Sequence, residues 1–240
     1  MDETQRRLEF PALLNARDLG GLPTLDGGRT RTRSLLRADD LVQLTPAGVA
    51  ALDAYGVETV LDLRWPEEAA RHPSPVPLAL PRVRYQRVSL LTNTEDEWRL
   101  RSRDVVKELW KCAALECTGR ELKQVLQVIA GATPGPLLFH CLAGKDRTGL
   151  VAALLLALAD ATPAAIARDY AQSAQDLREG YLKRYPEADR ARILEALRCP
   201  EEGAYNMLEF LDAAGGVHAY LEKLGLTLQE IAALRARLRN

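Results

Sequence analysis

The sequence predicts an α/β domain: a central, mainly parallel sheet of about four to five strands flanked by helices, with a helical insertion. Three observations predict it. Short apolar runs bounded by Gly and Pro alternate with longer helical stretches, the order that builds parallel sheets. The pairs Thr45-Pro46 and Thr162-Pro163 mark helix starts, because Thr caps the orphan amides and Pro fits the first turn. Finally, His140-Cys141-Leu142-Ala143-Gly144-Lys145-Asp146-Arg147-Thr148-Gly149 sits between the apolar run 136–139 and the Ala- and Leu-rich stretch 150–159, so a strand feeds a loop that opens a helix.

Taken in order, Gly20-Gly21, Pro23 and Asp26-Gly27-Gly28 predict a hairpin-like segment on the edge of the sheet. Thr45-Pro46 starts a helix through about Ala54, and 57–63 reads as a buried strand. Asp62 falls near its carboxyl end, where ligands gather in open α/β sheets. Asp62 and Arg64 therefore either approach the 140–149 loop or form a structural pair that supports it. Pro73, Pro75, Pro77 and Pro81 break the chain before a second strand within 83–90.

Residues 92–119 are polar, charged and helical in character, and Trp98, Leu100, Val105, Val106, Leu109 and Trp110 give them an irregular apolar stripe. This is either a lid or an ordinary packed helix. Helices are expected at 120–130 and 164–174, and the remainder is helical to the end, with Gly203, Gly215-Gly216 and Gly225 as breaks.

Two hundred and forty residues, 47% hydrophobic, suit one domain, 1–240, whose core needs no staples. A formal net charge of −1 from 32 basic and 33 acidic residues gives no general affinity for polyanions, so nucleic acid is not an expected partner. Basic residues cluster locally, at Arg29, Arg31, Arg33 and Arg37 and at Arg99, Arg101, Arg103 and Lys107, either flanking an acidic substrate or forming solvated faces. Cys112, Cys117, Cys141 and Cys199 have no spacing that pairs them or builds a zinc site, which fits reduced thiols. The first residues lack the apolar core of a signal peptide, and the longest apolar run is too short to span a bilayer. A cytoplasmic location is expected, with export by a signal-less route as the other option.

The chemistry concentrates in the 140–149 loop. Free amides and the positive end of the helix dipole favour an anion there. A thiol in that field falls from ~8.5 to roughly 3.5–7.5, so Cys141 is expected as thiolate, the nucleophilic form. Arg147 presents a planar fork that grips two phosphate oxygens. His140 is expected to fix the loop by hydrogen bonding, and the Thr148 hydroxyl to donate to the sulfur. A Cys beside a His is more often a buried hydrophobe beside a core histidine, and a lone Cys and Arg at this spacing is common by chance. The strand-to-helix setting and the Gly144, Thr148 and Gly149 positions shift the balance to catalysis. The loop is not a nucleotide-binding P-loop, because Asp146 stands where Ser or Thr would hold magnesium.

The run HCLAGKDRTG resembles the signature loop of the Cys-dependent protein tyrosine phosphatase superfamily. More narrowly, the stretches from Asn15 to Gly21, Ser34 to Asp39 and Val60 to Arg64, with the Gly216 to Leu221 region, resemble blocks of bacterial tyrosine/dual-specificity phosphatases carrying a GKDRTG loop. The likeness covers nearly the whole chain. It implies a tyrosine-phosphatase-like fold and a helical lid over the active site. That subgroup is similar in its loop to lipid phosphatases acting on phosphoinositides.

The expected reaction is hydrolysis of phosphomonoesters, phosphotyrosine first and phosphoserine, phosphothreonine and phosphoinositides after it, through a cysteinyl-phosphate on Cys141 and without metal or other cofactor. Arg147 holds the equatorial oxygens. His140, Leu142, Ala143, Gly144, Lys145 and Thr148 are the expected substrate-binding residues, with Lys145 a second cation suited to a multiply phosphorylated substrate. Asp146 is the favoured general acid with Asp62 in support, ahead of Asp96 and Asp104. A non-catalytic phosphate reader, a rhodanese-like sulfurtransferase and a redox or structural Cys protein are the competing readings.

Overall fold

A computed structural model describes residues 6–90, 119–187 and 189–239. Residues 92–118 of the candidate lid, with Asp96, Asp104, Cys112, Cys117 and the second basic cluster, lie outside the described residues. Strands β1 (Arg17–Asp18), β2 (Leu35–Ala38), β3 (Thr59–Asp62), β4 (Arg84–Arg87) and β5 (Leu137–His140) form one five-stranded sheet in the order β1-β2-β5-β3-β4. β1 runs antiparallel to β2, and the other pairs are parallel.

Side chains alternate across the sheet as strand geometry requires. Leu35, Leu61, Leu137 and Phe139 enter one core, whereas Leu36, Ala38, Val60 and Leu138 enter the other. Both faces are covered, which is why these strands read as apolar throughout. β5 lies in the middle, with Ala38 of β2 and Asp62 of β3 both paired to His140. Three chains therefore leave the sheet side by side at one carboxyl edge, and the signature loop leaves from the central one.

The helices are placed by their caps. In α1 (Pro46–Tyr55) the Thr45 hydroxyl accepts from the Gly48 amide, and Gly56 ends the helix at φ 85°. α2 (Pro66–Arg71) was not expected from the sequence; Pro66 starts it, and the Glu68 carboxylate accepts from the Trp65 amide at 2.8 Å. The proline-rich segment also holds a single turn, α3 (Val76–Ala79).

α4 (Gly119–Ala130) and α5 (Asp146–Leu158) follow, α5 starting inside the signature loop. α6 (Pro163–Arg184) is capped by Thr162 and runs well beyond residue 174, because Leu177 on its inner face is still buried. α7 (Arg190–Ala196), α8 (Glu201–Ala213), α9 (Val217–Lys223) and α10 (Leu228–Leu238) complete the described chain. Gly203, read from the sequence as a break, is buried in the first turn of α8; Gly215, Gly216 and Gly225 do break helices, each at positive φ.

The expected hairpin is present as an isolated bridge between Pro23 and Arg29, outside the five strands of the sheet, closed by the Thr24 amide on the Gly28 carbonyl at 3.1 Å. The first basic cluster is not one face: Arg37 is fully buried, and Arg29 and Arg33 donate to the Gly21 and Tyr55 carbonyls. Among the described residues no helix is long and apolar enough to cross a membrane.

Candidate active site

β5 delivers Cys141 to the sheet edge, where it is 3% exposed at the base of a loop whose crest, Leu142, is 46% exposed. The loop turns back through Gly144 at φ 64°, and a Cβ there would lie 2.3 Å from the Ala38 carbonyl oxygen, so the close approach to β2 admits only glycine.

Its carbonyls are gripped from behind. Asn15 Nδ2 donates to the Ala143 and Gly144 oxygens at 3.0 and 3.1 Å. One terminal nitrogen of Arg37 donates to the Gly144 oxygen at 2.6 Å and to the Lys145 oxygen at 3.4 Å. In a planar trans peptide the C=O and the following N–H point in opposite directions. Holding these three carbonyls outward thus turns the amides of Gly144, Lys145 and Asp146 toward the loop's open side. Among the described residues the N–H groups of 142–147 donate to no protein acceptor. Together with the N-terminus of α5 they form a cradle for an anion.

Arg147 closes the cradle from the first turn of α5. Its two terminal nitrogens donate to the Glu68 carboxylate at 2.6 and 2.9 Å, and its guanidinium lies 5.0 Å from the Trp65 ring centre. Burial works to lower its pKa, but the neighbouring Cys141 and Glu68 leave it raised, so it stays charged. Burial would raise Glu68 in turn, and the hydrogen bonds and charge of Arg147 hold it below the usual range. This ion pair joins α2 to the loop across 79 residues of sequence.

Other expected site residues face elsewhere. The Asp62 carboxylate is fully buried and accepts from the Arg64 amide and guanidinium and from the Tyr85 hydroxyl at 2.6 Å. Of the two readings open in the sequence, the geometry forms the structural pair. Burial would raise Asp62, but the His140 ring and the Arg64 and Tyr85 hydrogen bonds outweigh it and hold the carboxyl at about 2.

His140 does not reach the cradle. Its ring is fully buried, with Nδ1 3.1 Å from the Cys141 carbonyl and Nε2 3.7 Å from Asp62, and burial lowers its pKa. Lys145 also departs from its expected place: its ammonium donates to the Ala196 carbonyl at 2.7 Å, at the end of α7, and lies 3.5 Å from the Asp146 carboxylate. A buried ammonium needs acceptors, and the last carbonyls of a helix supply them. Thr148 is buried with its hydroxyl unpartnered, so the expected bond to Cys141 is not made. Asp146 keeps a quarter of its side chain exposed beside the cradle.

The sequence profile described as "Tyrosine phosphatase family" matches residues 8–240. The chain belongs to the tyrosine phosphatase family. A tyrosine-protein phosphatase of Nostoc commune is 38% identical over 85% of this chain and 74% of its own length. The triple specificity protein phosphatase PtpB of Mycobacterium tuberculosis is 28% identical over 92% of this chain and 88% of its own. Among solved structures, P. aeruginosa TpbA in complex with pTyr aligns at 20% identity over 69% of this chain and 86% of that one, with a TM-score of 0.34. Four residues that shape the cradle have no individual role assigned by the sequence: Asn15, Arg37, Asp39, whose carboxylate accepts from the Leu14 and Asn15 amides at 3.0 Å, and Glu68. The first three stand inside the resembling blocks. Pro66-Glu67-Glu68 is itself a helix-start signal that could have been read.

Proposed function

We propose that the protein hydrolyses phosphomonoesters through a cysteinyl-phosphate on Cys141. The observation that carries this reading is the set of three peptide carbonyls held by Asn15 and Arg37, which turns the following amides to the other side of the loop that joins Cys141 to Arg147 and the α5 N-terminus. A phosphoryl group seated there has its equatorial oxygens on the amides and on Arg147, with phosphorus in line with Cys141 Sγ. The sulfur attacks phosphorus, the P–O bond to the leaving group breaks, and water then cleaves the S–P bond.

The leaving oxygen takes its proton from Asp146, whose side chain, at the first position of α5, is a quarter exposed to solvent. Asp62, bound by Arg64 and Tyr85, acts instead as a structural support at the end of β3, beside the start of the loop. Phosphotyrosine is the first substrate class. Phosphoserine, phosphothreonine and phosphoinositides form a second class, in which a further phosphate would have to draw Lys145 from the Ala196 carbonyl.

The test is turnover of a phosphotyrosine peptide, a phosphoserine peptide and a phosphoinositide panel without added metal, with acid-quenched mass spectrometry of the protein. A phosphate adduct on Cys141, lost in Cys141→Ser, is expected. Binding without turnover would favour the phosphate reader, and thiosulfate turnover the sulfurtransferase. In Asp146→Asn the basic limb of the pH-rate profile should disappear and kcat fall by about 10²- to 10⁴-fold; an unchanged limb would return the acid to Asp96 or Asp104.

A further inference from the structure

Behind the loop, on the side away from the cradle, lies a buried cluster whose centre is Asp169 on α6. Its carboxylate accepts from Arg6, from Arg17 Nε at 3.1 Å and from Arg37 at 2.7 Å, and its carbonyl accepts from Arg17 at 2.6 Å. Ser173, one turn on, accepts from Arg17 at 3.0 Å and from Arg37 at 3.3 Å. Every one of these side chains is buried. Burial alone would raise the Asp169 carboxyl, and the three guanidinium groups hold it well below the ordinary range.

Two of the arginines lead directly to the loop. Arg37 carries its other terminal nitrogen to the Gly144 and Lys145 carbonyls. Arg17 donates to the Asn15 side-chain oxygen, which orients the amide so that Nδ2 faces the Ala143 and Gly144 carbonyls. A planar guanidinium fixed at one edge by a carboxylate has its remaining N–H directions set. One carboxylate therefore governs both grips on the three peptides that present amides to the cradle.

We infer that Asp169 is the positioning residue that aims the loop's amides at the phosphoryl group, through Arg37 on one arm and Arg17 and Asn15 on the other. The inference rests on the phosphatase reading of that loop. Charge makes it testable by sign. Asp169→Asn removes a negative charge from beneath an anion site, and by Coulomb's law alone the variant would bind oxyanions more tightly than the wild type. If Asp169 instead directs the amides, the variant binds them less well, because the donors no longer converge.

The experiment measures tungstate binding to the full chain by calorimetry, together with kcat and KM on p-nitrophenyl phosphate, for wild type and Asp169→Asn. We expect a tungstate Kd about tenfold weaker and kcat about 100-fold lower, the scale of a misplacement near 1 Å. An unchanged or tighter Kd in folded variant overturns the inference; a purely structural role would lower the binding stoichiometry and leave Kd alone. Should Asp169→Asn fail to fold, Asn15→Ala, which leaves every charge in the cluster, carries the same two readouts, and wild-type values there overturn the inference equally. A wild type that neither binds tungstate nor turns over substrate removes the phosphatase reading and this inference with it. Wild-type turnover with unimpaired variants removes the inference alone.

Discussion

Two buried ionic clusters flank the signature loop, and they are built on opposite plans. At the strand ends, Arg64 sits between two carboxylates, donating to Asp62 at 2.8 Å and to Asp40 at 3.1 Å. Behind the loop, Asp169 sits among three arginines. The first is centred on a cation and ties together segments that leave the sheet. The second is centred on an anion and has donors to spare, which it extends to loop carbonyls. A cluster with surplus donors can orient neighbouring peptides, whereas one with surplus acceptors mainly holds its own members. Stability should therefore depend more on the first, and anion binding on the second.

The largest expected effect breaks the first cluster. Arg64→Ala leaves the buried Asp40 and Asp62 without their shared cation, and should cost about 4 kcal/mol of unfolding free energy by denaturant titration. Tungstate Kd of the folded fraction should stay near wild type. If it weakens as much as in Asp169→Asn, the two clusters do not differ in role.

Next comes acid. The folded Asp62 carboxyl lies at about 2, below its ordinary 3.8, so folding favours its ionised form. That stabilisation is present above pH about 4 and is lost as pH falls toward 2, amounting to about 2 kcal/mol. Asp39 acts in the opposite sense: burial, opposed by the Asn15 and Leu14 amides, raises it to about 6, so its contribution declines as pH rises from 4 to 6. The measurement is thus the difference in stability between wild type and Asp62→Asn across pH 2 to 5. A flat difference would mean that the carboxylate contributes nothing by its charge.

A smaller effect sharpens the comparison at Arg147, which belongs to neither cluster. Glu68→Gln keeps a contact but removes the charge, and should lower kcat/KM about tenfold, or ~1.4 kcal/mol, by loosening the guanidinium. A rise in kcat/KM would show Glu68 to be a competitor of phosphate and not a guide. Least of all, Asp53→Asn severs the exposed pair with Arg82 and should shift stability by no more than ~0.5 kcal/mol.

Much of the fold was legible because its signals are local. Thr45-Pro46 and Thr162-Pro163 cap the helices they were expected to cap, and the apolar run before Cys141 is the central strand. Cys141 and Arg147, the proposed nucleophile and its arginine, share one loop, and their proximity was legible for the same reason. What was not legible depends on distant partners. Nothing near Lys145 announces that its ammonium turns to Ala196, 51 residues on, and nothing near Arg37 announces Asp169, 132 residues away. Ion pairs have no periodicity, so a buried arginine and a solvated one read alike until the fold is known. Asp62 is an intermediate case: its position at the strand end was readable, but the direction of its carboxylate was set by Tyr85 from the neighbouring strand.

The contact of Gly144 with β2 bears on how such a loop can be inherited. A side chain there would collide with the Ala38 carbonyl, so the bend of the cradle is moulded by the strand next door. Grafting the ten-residue signature into another α/β scaffold should reproduce its curvature only where the host offers a strand terminus at the same height. The sheet and the loop are, in that respect, a single inherited part.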